Sequence, residues 1–451
     1  MSPPGILAAA ILLVFVLILW LRINAFLALI VAAMTVGLLS PHVEFASVMP
    51  KVAEQFGVVC GKIGIVIALA AVIGECLLES GAADKITRVF VRSLGERHAS
   101  LSLLGSGFFL AIPVFFDTVF YLLVPLARSM RVRLGHGYVL FVMSICAGGV
   151  AAHVLVPPTP GPVAMAATLG IDLGLMILVG SAAAIPMGFV GWLLARRQDR
   201  VLDVPLRETS GVSLAELEKI SAASEERLPP FFVSLLPIIL PVILITSNTI
   251  LKAVGHTGPL ATAAAFLGDP NFALLASAAV AMAVLGFQKR YALSELARPV
   301  EHAFQSAGLI ILITAAGGAF GAMLVEAGVG RSLGEFAAAY QLPLVFLGFA
   351  LAAVIKIAQG SSTVAMITTA SMLAPLMAEG DLAFHPVYVA LAIGSGSLIG
   401  AWMNDSGFWV YKQMSGMTEG ETLRTWTPLL ALVGLTGYAV AQLGAIVLPL
   451  R

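Results

Sequence analysis

The stretch HVLVPPTPGP, residues 153–162, carries four prolines and a glycine in ten positions and follows directly on the apolar run YVLFVMSICAGGVAA, residues 138–152. Proline lacks an amide hydrogen and clashes with the preceding helical turn, so a helix entering this stretch is interrupted. The surroundings leave no doubt about the solvent. The chain of 451 residues is 59% hydrophobic and 11% charged, against about 25% charged for soluble domains, and its mean hydropathy is +0.99. Apolar runs long enough to cross a hydrocarbon core as helices recur from end to end. An interruption inside such a run frees backbone groups where water is scarce. Irregular backbone survives at membrane depth only where protein covers it or where it lines a wet cavity.

Outward from this stretch, full spans are expected near 5–21, 24–40, 58–79, 136–157, 174–195, 231–251, 271–287, 303–327, 386–408 and 427–449. The N-terminal apolar run has no basic leader and no cleavage motif, and reads as a retained first span. Two further stretches, 100–127 and 341–376, differ: the first has Pro113 and Asp117 at its middle, the second Lys356 and the polar tip AQGSST. Basic clusters flank the first on both sides (Lys85, Arg88, Arg92 and Arg97 before it, Arg128, Arg131 and Arg133 after it). If the stretch turns back before crossing, both clusters stay cytoplasmic, and 19 of the 25 Lys and Arg fall on that side, as the positive-inside rule requires. Residues 100–127 and 341–376 are therefore expected to be re-entrant hairpins, and the N-terminus is expected on the periplasmic side.

The halves resemble each other. KIGIVIALAAVIGECLLESGAADKI (62–86) matches LIILITAAGGAFGAMLVEAGVGRSL (309–333) at an offset of 247, and LLVPLA (122–127) matches MLAPLM (372–377) at 250, the offset that also relates Tyr138 to Tyr388. The expected fold is an all-α polytopic membrane protein of two inverted repeats, each with a re-entrant helical hairpin and an interrupted transmembrane helix. The expected divisions are N-terminal helices 1–44, repeat 1 at 45–195 with its broken helix at 136–162, a cytoplasmic connector 196–230, linking helices 231–290, and repeat 2 at 291–451 with its broken helix at 386–408. In the connector, Ser213 and Glu216 have the spacing of a helix cap. Inverted repeats with broken helices are a transporter design whose site lies near the midplane.

Four interruptions need a cavity: IPVFFDT (112–118), HVLVPPTPGP (153–162), AQGSST (358–363) and NDSGF (404–408). Freed helix N-termini carry partial positive charge and suit an anion. Thr159, Ser361, Ser362, Thr363, Asn404 and Ser406 offer hydroxyls and an amide, and Gln359, with Gly360 beside it, offers another amide; the set suits a polyhydroxylated ligand. Serine and threonine bonded back to their own helix are the alternative. Ionisable groups at depth need a partner or a task. Lys356 is the counter-charge for a carboxylate substrate, or for Asp405 or Asp117 when the site is empty. Asp117, His153 and Asp405 are candidates for carrying a proton, since histidine titrates near neutrality. His153 reads equally as a helix-ending residue bonded to a carbonyl, and Asp405 as a local cap.

Other features read as structure. Glu79 and Glu326, at span ends, are expected to snorkel, and Lys62 and Glu75 are too far apart to pair along one helix. Glycine spacing at Gly57 and Gly61, and at Gly317 and Gly321, is expected to permit close helix packing. Cys60, Cys76 and Cys146 have neither disulfide nor metal spacing. No cofactor and no catalytic residue is expected, and a formal net charge of zero argues against a nucleic-acid partner. The expected partners are a small anionic substrate, a proton and the lipid bilayer.

HVLVPPTPGP, AQGSSTVAM and NDSGFW, in this order within two inverted repeats, resemble the gluconate permease family of the ion transporter superfamily. The resemblance covers nearly the whole chain. It implies proton-coupled uptake of gluconate or a related sugar acid across a bacterial inner membrane, with binding segments at 113–118, 157–162, 359–363 and 404–407. Superfamily relatives imply a homodimer and an elevator-type motion. One departure is Ala401–Trp402, where the family pattern leads one to expect serine and histidine. Carriage of D-serine or another hydroxy acid, or sodium coupling, are alternatives within the class; an intramembrane serine hydrolase and an anion channel lie outside it.

Overall fold

The computed structural model describes residues 3–21, 23–95, 98–113, 116–207, 228–328, 343–379, 382–403 and 405–450. All of the regular structure in these residues is helical. Seven helices among them are long and apolar enough to cross a membrane. Large apolar side chains stand exposed along their outer faces, Phe232, Phe287 and Ile446 among them, as a lipid-facing surface requires.

The chain opens with α1 (Pro3–Phe15), which continues as a π-helical turn Val16–Trp20, and α2 (Ala25–Leu39). A long α3 (Val48–Glu79) and the amphipathic α4 (Ala82–Leu94) follow. Next come α5 (Ala99–Leu110), α6 (Phe116–Leu134), α7 (Tyr138–Leu155), α8 (Pro160–Leu169) and α9 (Leu173–Val201). Helices α10 (Phe231–Ala253), α11 (Pro259–Leu267) and α12 (Pro270–Lys289) lead to α13 (Ala297–Glu326). The order then recurs: α14 (Leu344–Gln359), α15 (Ser362–Glu379), α16 (Val387–Gly396), α17 (Ser406–Ser415) and α18 (Glu419–Val447). Each helix from α14 to α18 is the counterpart of the one nine places earlier. The expected spans recur as helices, with three differences. α3 starts ten residues ahead of position 58. α2 and α16 are too short to be full spans by themselves. α11 corresponds to no expected span. Ser213 and Glu216 of the expected connector cap, and Arg331 to Leu333 of the repeat match, lie outside the described residues.

Two helix groups build the molecule. In one, α2, α3, α12 and α13 pack on one another, with α3 and α13 as the central pair. In the other, α7 lies between α5 and α9, α16 lies between α14 and α18, and α9 meets α18. Glycine makes the tightest crossings possible. A Cβ on Gly148 of α7 would sit 2.0 Å from the carbonyl oxygen of Leu104 in α5. A Cβ on Gly396 of α16 would sit 2.2 Å from that of Phe349 in α14, the corresponding pair of helices in the other half, at a different position along them. The glycine expectation holds on one side only: a Cβ on Gly317 would meet Ile367 at 2.6 Å, whereas Gly57 and Gly61 face open space.

The halves also interlock. α8 packs on α15, and α6 packs on α17, so each hairpin's second arm meets the other half's helix that follows the break. Glu79 accepts from the Tyr291 hydroxyl at 2.9 Å, and its counterpart Glu326 pairs with Lys51. Both carboxylates thus bridge elements instead of snorkelling free. Glu75 meets His302 at 2.9 Å. Arg128, from the basic cluster expected on the cytoplasmic side, is 2% exposed. It donates to the carbonyls of Met414 (3.3 Å) and Arg207 (2.5 Å), and Arg207 holds Glu421 with two bonds of 2.7 and 2.9 Å. This chain of contacts ties α6 to the end of α17 and the start of α18.

Candidate functional site

All four interruptions exist. Helix α5 stops at Leu110 and α6 starts at Phe116; α14 stops at Gln359 and α15 starts at Ser362. Gly360 makes the second tip possible: its φ of 89° is in the left-handed region that side chains disfavour. In the first broken span, α7 runs through His153 to Leu155 and α8 begins at Pro160, so the irregular backbone is 156–159 and contains the cis Pro157–Pro158 bond. Pro160 is accommodated as the opening residue of α8, where no amide partner is needed. The second broken span departs from expectation. α16 ends at Gly396, well before the NDSGF motif, and α17 begins at Ser406. The sequence SGSLIGAW contains no proline to announce the earlier end.

The breaks converge on a cavity of about 280 Å³. Asp117, His153 and Asp405 line it, with Ser361, Ser362 and Thr363 from the second hairpin tip. Phe116, Trp426 and Leu430 form apolar wall, and Leu309, Ile310 and Ile313 of α13 close the side facing the other helix group. The volume is near the lower edge of the range typical of small-molecule pockets, ~300–1,000 Å³.

Behind the cavity wall, the ammonium of Lys356 lies 3.0 Å from Oδ2 of Asp405, with both side chains buried. Lys356 also donates to the Gly360 carbonyl at 2.5 Å. Oδ1 of Asp405 accepts from the Gly407 amide at 3.0 Å, capping α17. The cap and counter-charge readings of Asp405 therefore both hold, one on each carboxylate oxygen. Ser362 donates to the Ser397 carbonyl at 2.8 Å, joining the hairpin tip to the second break. Nδ1 of His153 is buried without a hydrogen-bonding partner among the described residues, so it is not the carbonyl-bonded helix end considered above. Buried polar atoms are ordinarily paired, and one left open on a cavity wall is available to a ligand or a proton.

The remaining candidates divide. Thr159 lies off the cavity: it is 2% exposed and its hydroxyl donates to the Val156 carbonyl at 2.6 Å, a local bond. Asn404 lies outside the described residues, as do the side chains of Gln359 and Ser406. Trp402, at the departure from the family pattern, is half exposed and directs its indole NH toward the Ile357 carbonyl at 3.5 Å. It does not line the cavity. Sequence reasoning missed Leu309, Ile310 and Ile313, since apolar residues in an apolar helix carry no signal.

Residues 5–447 match the model of the family described as GntP family permease. The chain belongs to this family. Among its relatives, the low-affinity gluconate transporter of Escherichia coli K12 is 33% identical over 439 residues, with 96% of each chain covered. The gluconate permease of Pseudomonas aeruginosa is 34% identical, covering 96% of this chain and 95% of that one. The inner membrane permease YgbN of Escherichia coli K12 is 31% identical, again with 96% of each covered. Among solved structures, the Alcanivorax borkumensis YdaH transporter, described as having an unusual topology, superposes with a TM-score of 0.64 at 14% identity, covering 97% of this chain and 99% of that one. That likeness concerns the fold alone. In this chain the cavity joins two interrupted helices and two hairpins, with one buried ion pair behind its wall.

Proposed function

We propose that the chain is a secondary active transporter that takes up gluconate, or a related sugar or hydroxy acid, together with a proton. The observation that carries this reading is the cavity itself: hydroxyls of Ser361, Ser362 and Thr363 beside the Lys356–Asp405 pair, with Asp117 and His153 on the same wall. The names of the family relatives support the substrate class. The hydroxyls meet those of the polyol chain, and the substrate carboxylate takes the ammonium of Lys356.

Charge explains the coupling. Lys356 is one cation, and Asp117 and Asp405 are two carboxylates. An added anion in this buried setting needs an added positive charge, because an uncompensated charge out of water is costly. A proton entering through Asp117, His153 or Asp405 supplies it. A proton on Asp405 would also release Lys356 to the incoming carboxylate.

The chain is a multi-pass protein of the bacterial inner membrane with a periplasmic N-terminus. It works as a homodimer, its two hairpins re-enter from opposite faces, and the hairpin-bearing helices move as an elevator against α2, α3, α12 and α13. The smooth apolar wall of Leu309, Ile310 and Ile313 suits such sliding. Leu309 and Ile310 belong to the first half of α13, which is cytoplasmic in this topology; this supports an inward-facing state. The test is uptake of labelled gluconate into proteoliposomes. An inward proton gradient is expected to drive accumulation above equilibrium. Accumulation that follows a sodium gradient instead would reassign the coupling ion, and gradient-independent equilibration would favour a channel.

A further inference from the structure

The sequence match pairs Lys62 with Leu309, the first residues of the two segments related by 247. The same offset pairs Ile63 with Ile310 and Val66 with Ile313. Leu309, Ile310 and Ile313 are the α13 wall of the substrate cavity. Their counterparts Lys62, Ile63 and Val66 together line a second cavity of about 200 Å³, closed by Val163 and Ala166 of α8. The same positions thus front a cavity in each half, but the hairpin tips now face only α13.

The surroundings of the two helices differ as an exchange of states would make them differ. α13 packs along α15, the second arm of its own hairpin. There a Cβ on Gly317 would lie 3.1 Å from Oγ of Ser371. Among the described residues α3 makes no comparable contact with α6. In a pair of inverted repeats, exchanging the two local arrangements generates the opposite access state, in which α3 takes the place α13 holds now. The offset of 250 then puts Asp117 where Ile367 lies, and Ile367 is a lining residue of the present cavity.

We propose that Lys62 is a substrate-facing residue of the opposite access state: it meets the anion at the cavity mouth, on the side where α13 offers only Leu309. Lys62 is exposed in the middle of an apolar helix. Among the described residues it has neither an ion pair nor a hydrogen bond. A cation so placed needs a partner or a task, and here the partner arrives with the other state. The halves are then unequal by design. Lys62 is in the first half of α3, the outer half in the proposed topology, so the carrier has an additional cation when open outward and none when open inward. Capture outside and release inside are both favoured. This inference rests on the proposed reading that the repeats alternate.

Two experiments test it. In oriented proteoliposomes, Lys62→Leu, which gives α3 the residue of its counterpart, is expected to raise the external KM for gluconate about tenfold. The half-saturation from the internal side in counterflow stays unchanged, and Lys62→Arg restores the external value. An equal change on both sides, or none, overturns the proposal. The second test does not depend on the substrate. In a background free of Cys60, Cys76 and Cys146, Lys62→Cys with Ile112→Cys is treated with a short bismaleimide, beside the counterpart pair Leu309→Cys with Ser362→Cys. Both pairs are expected to cross-link. Cross-linking of the second pair alone overturns the exchange of states, whereas cross-linking of both without gluconate transport would fault only the assigned substrate.

Discussion

The two halves have the same order of helices and different neighbours, and the difference teaches more than the likeness. In the second half, α13 closes on α15, and the hairpin tip is tied through Ser362 to its own broken span. In the first half, among the described residues, α3 makes no comparable contact with α6 and faces a separate cavity that Lys62 lines. In both halves, by contrast, a glycine of the broken span, Gly148 or Gly396, lies against a backbone carbonyl of the hairpin's first arm. What is equal is rigid packing inside one helix group. What is unequal is the contact between groups, where the proposed elevator motion would take place.

The largest expected effect breaks the site in the second half. Lys356→Ala leaves Asp405 buried without its counter-charge, a change that costs about 3–5 kcal/mol when a buried pair loses one partner. Gluconate binding is expected to vanish and the melting temperature in detergent to fall, with no such double loss for Thr159→Ala. Retained binding would remove Lys356 from the site.

The equality of the crossings is tested next. Gly148→Ala and Gly396→Ala each push a methyl group against a backbone carbonyl that cannot swing away. Overpacking of this kind costs about 1–3 kcal/mol. Both variants are expected to lower the yield of monodisperse protein to a similar extent. A severe loss for one and none for the other would mean the halves are packed less alike than their crossings indicate.

The smallest effect concerns the last long helix of each half. Asp172 caps α9 by accepting from Leu175 at 2.9 Å, and Thr418 caps α18 in a reciprocal box with Glu421. Removing a cap costs about 1 kcal/mol. Asp172→Ala is expected to exceed Thr418→Ala in thermal shift, because Asp172 also accepts from Thr249 at 2.7 Å.

Much of this architecture was legible because the bilayer makes polar and helix-breaking residues conspicuous. Pro113 with Asp117, PPTPGP, AQGSST and the NDSGF motif all stand out from apolar runs, and the repeat offset could be read from Pro125 and Pro375. The extent of the second break was not legible, since Ser397 to Trp402 contain nothing that forbids a helix. The pairing of Lys356 with Asp405 was one of two options on charge alone, and distance decided it. Thr159 looked polar and deep, but a single local bond satisfies it. The α13 wall was hidden among like residues, and only the offset linking Leu309 to Lys62 gives it meaning.

The most direct measurement is the sided labelling of the single variants Lys62→Cys and Leu309→Cys, each in the background free of native cysteines, by a membrane-impermeant maleimide, with substrate gradients imposed in either direction. Reciprocal behaviour is expected: position 62 becomes reactive from outside as position 309 becomes protected from inside, and the reverse when the gradient is inverted. Reactivities that rise and fall together, or that ignore the gradient, would contradict two repeats taking turns around one site.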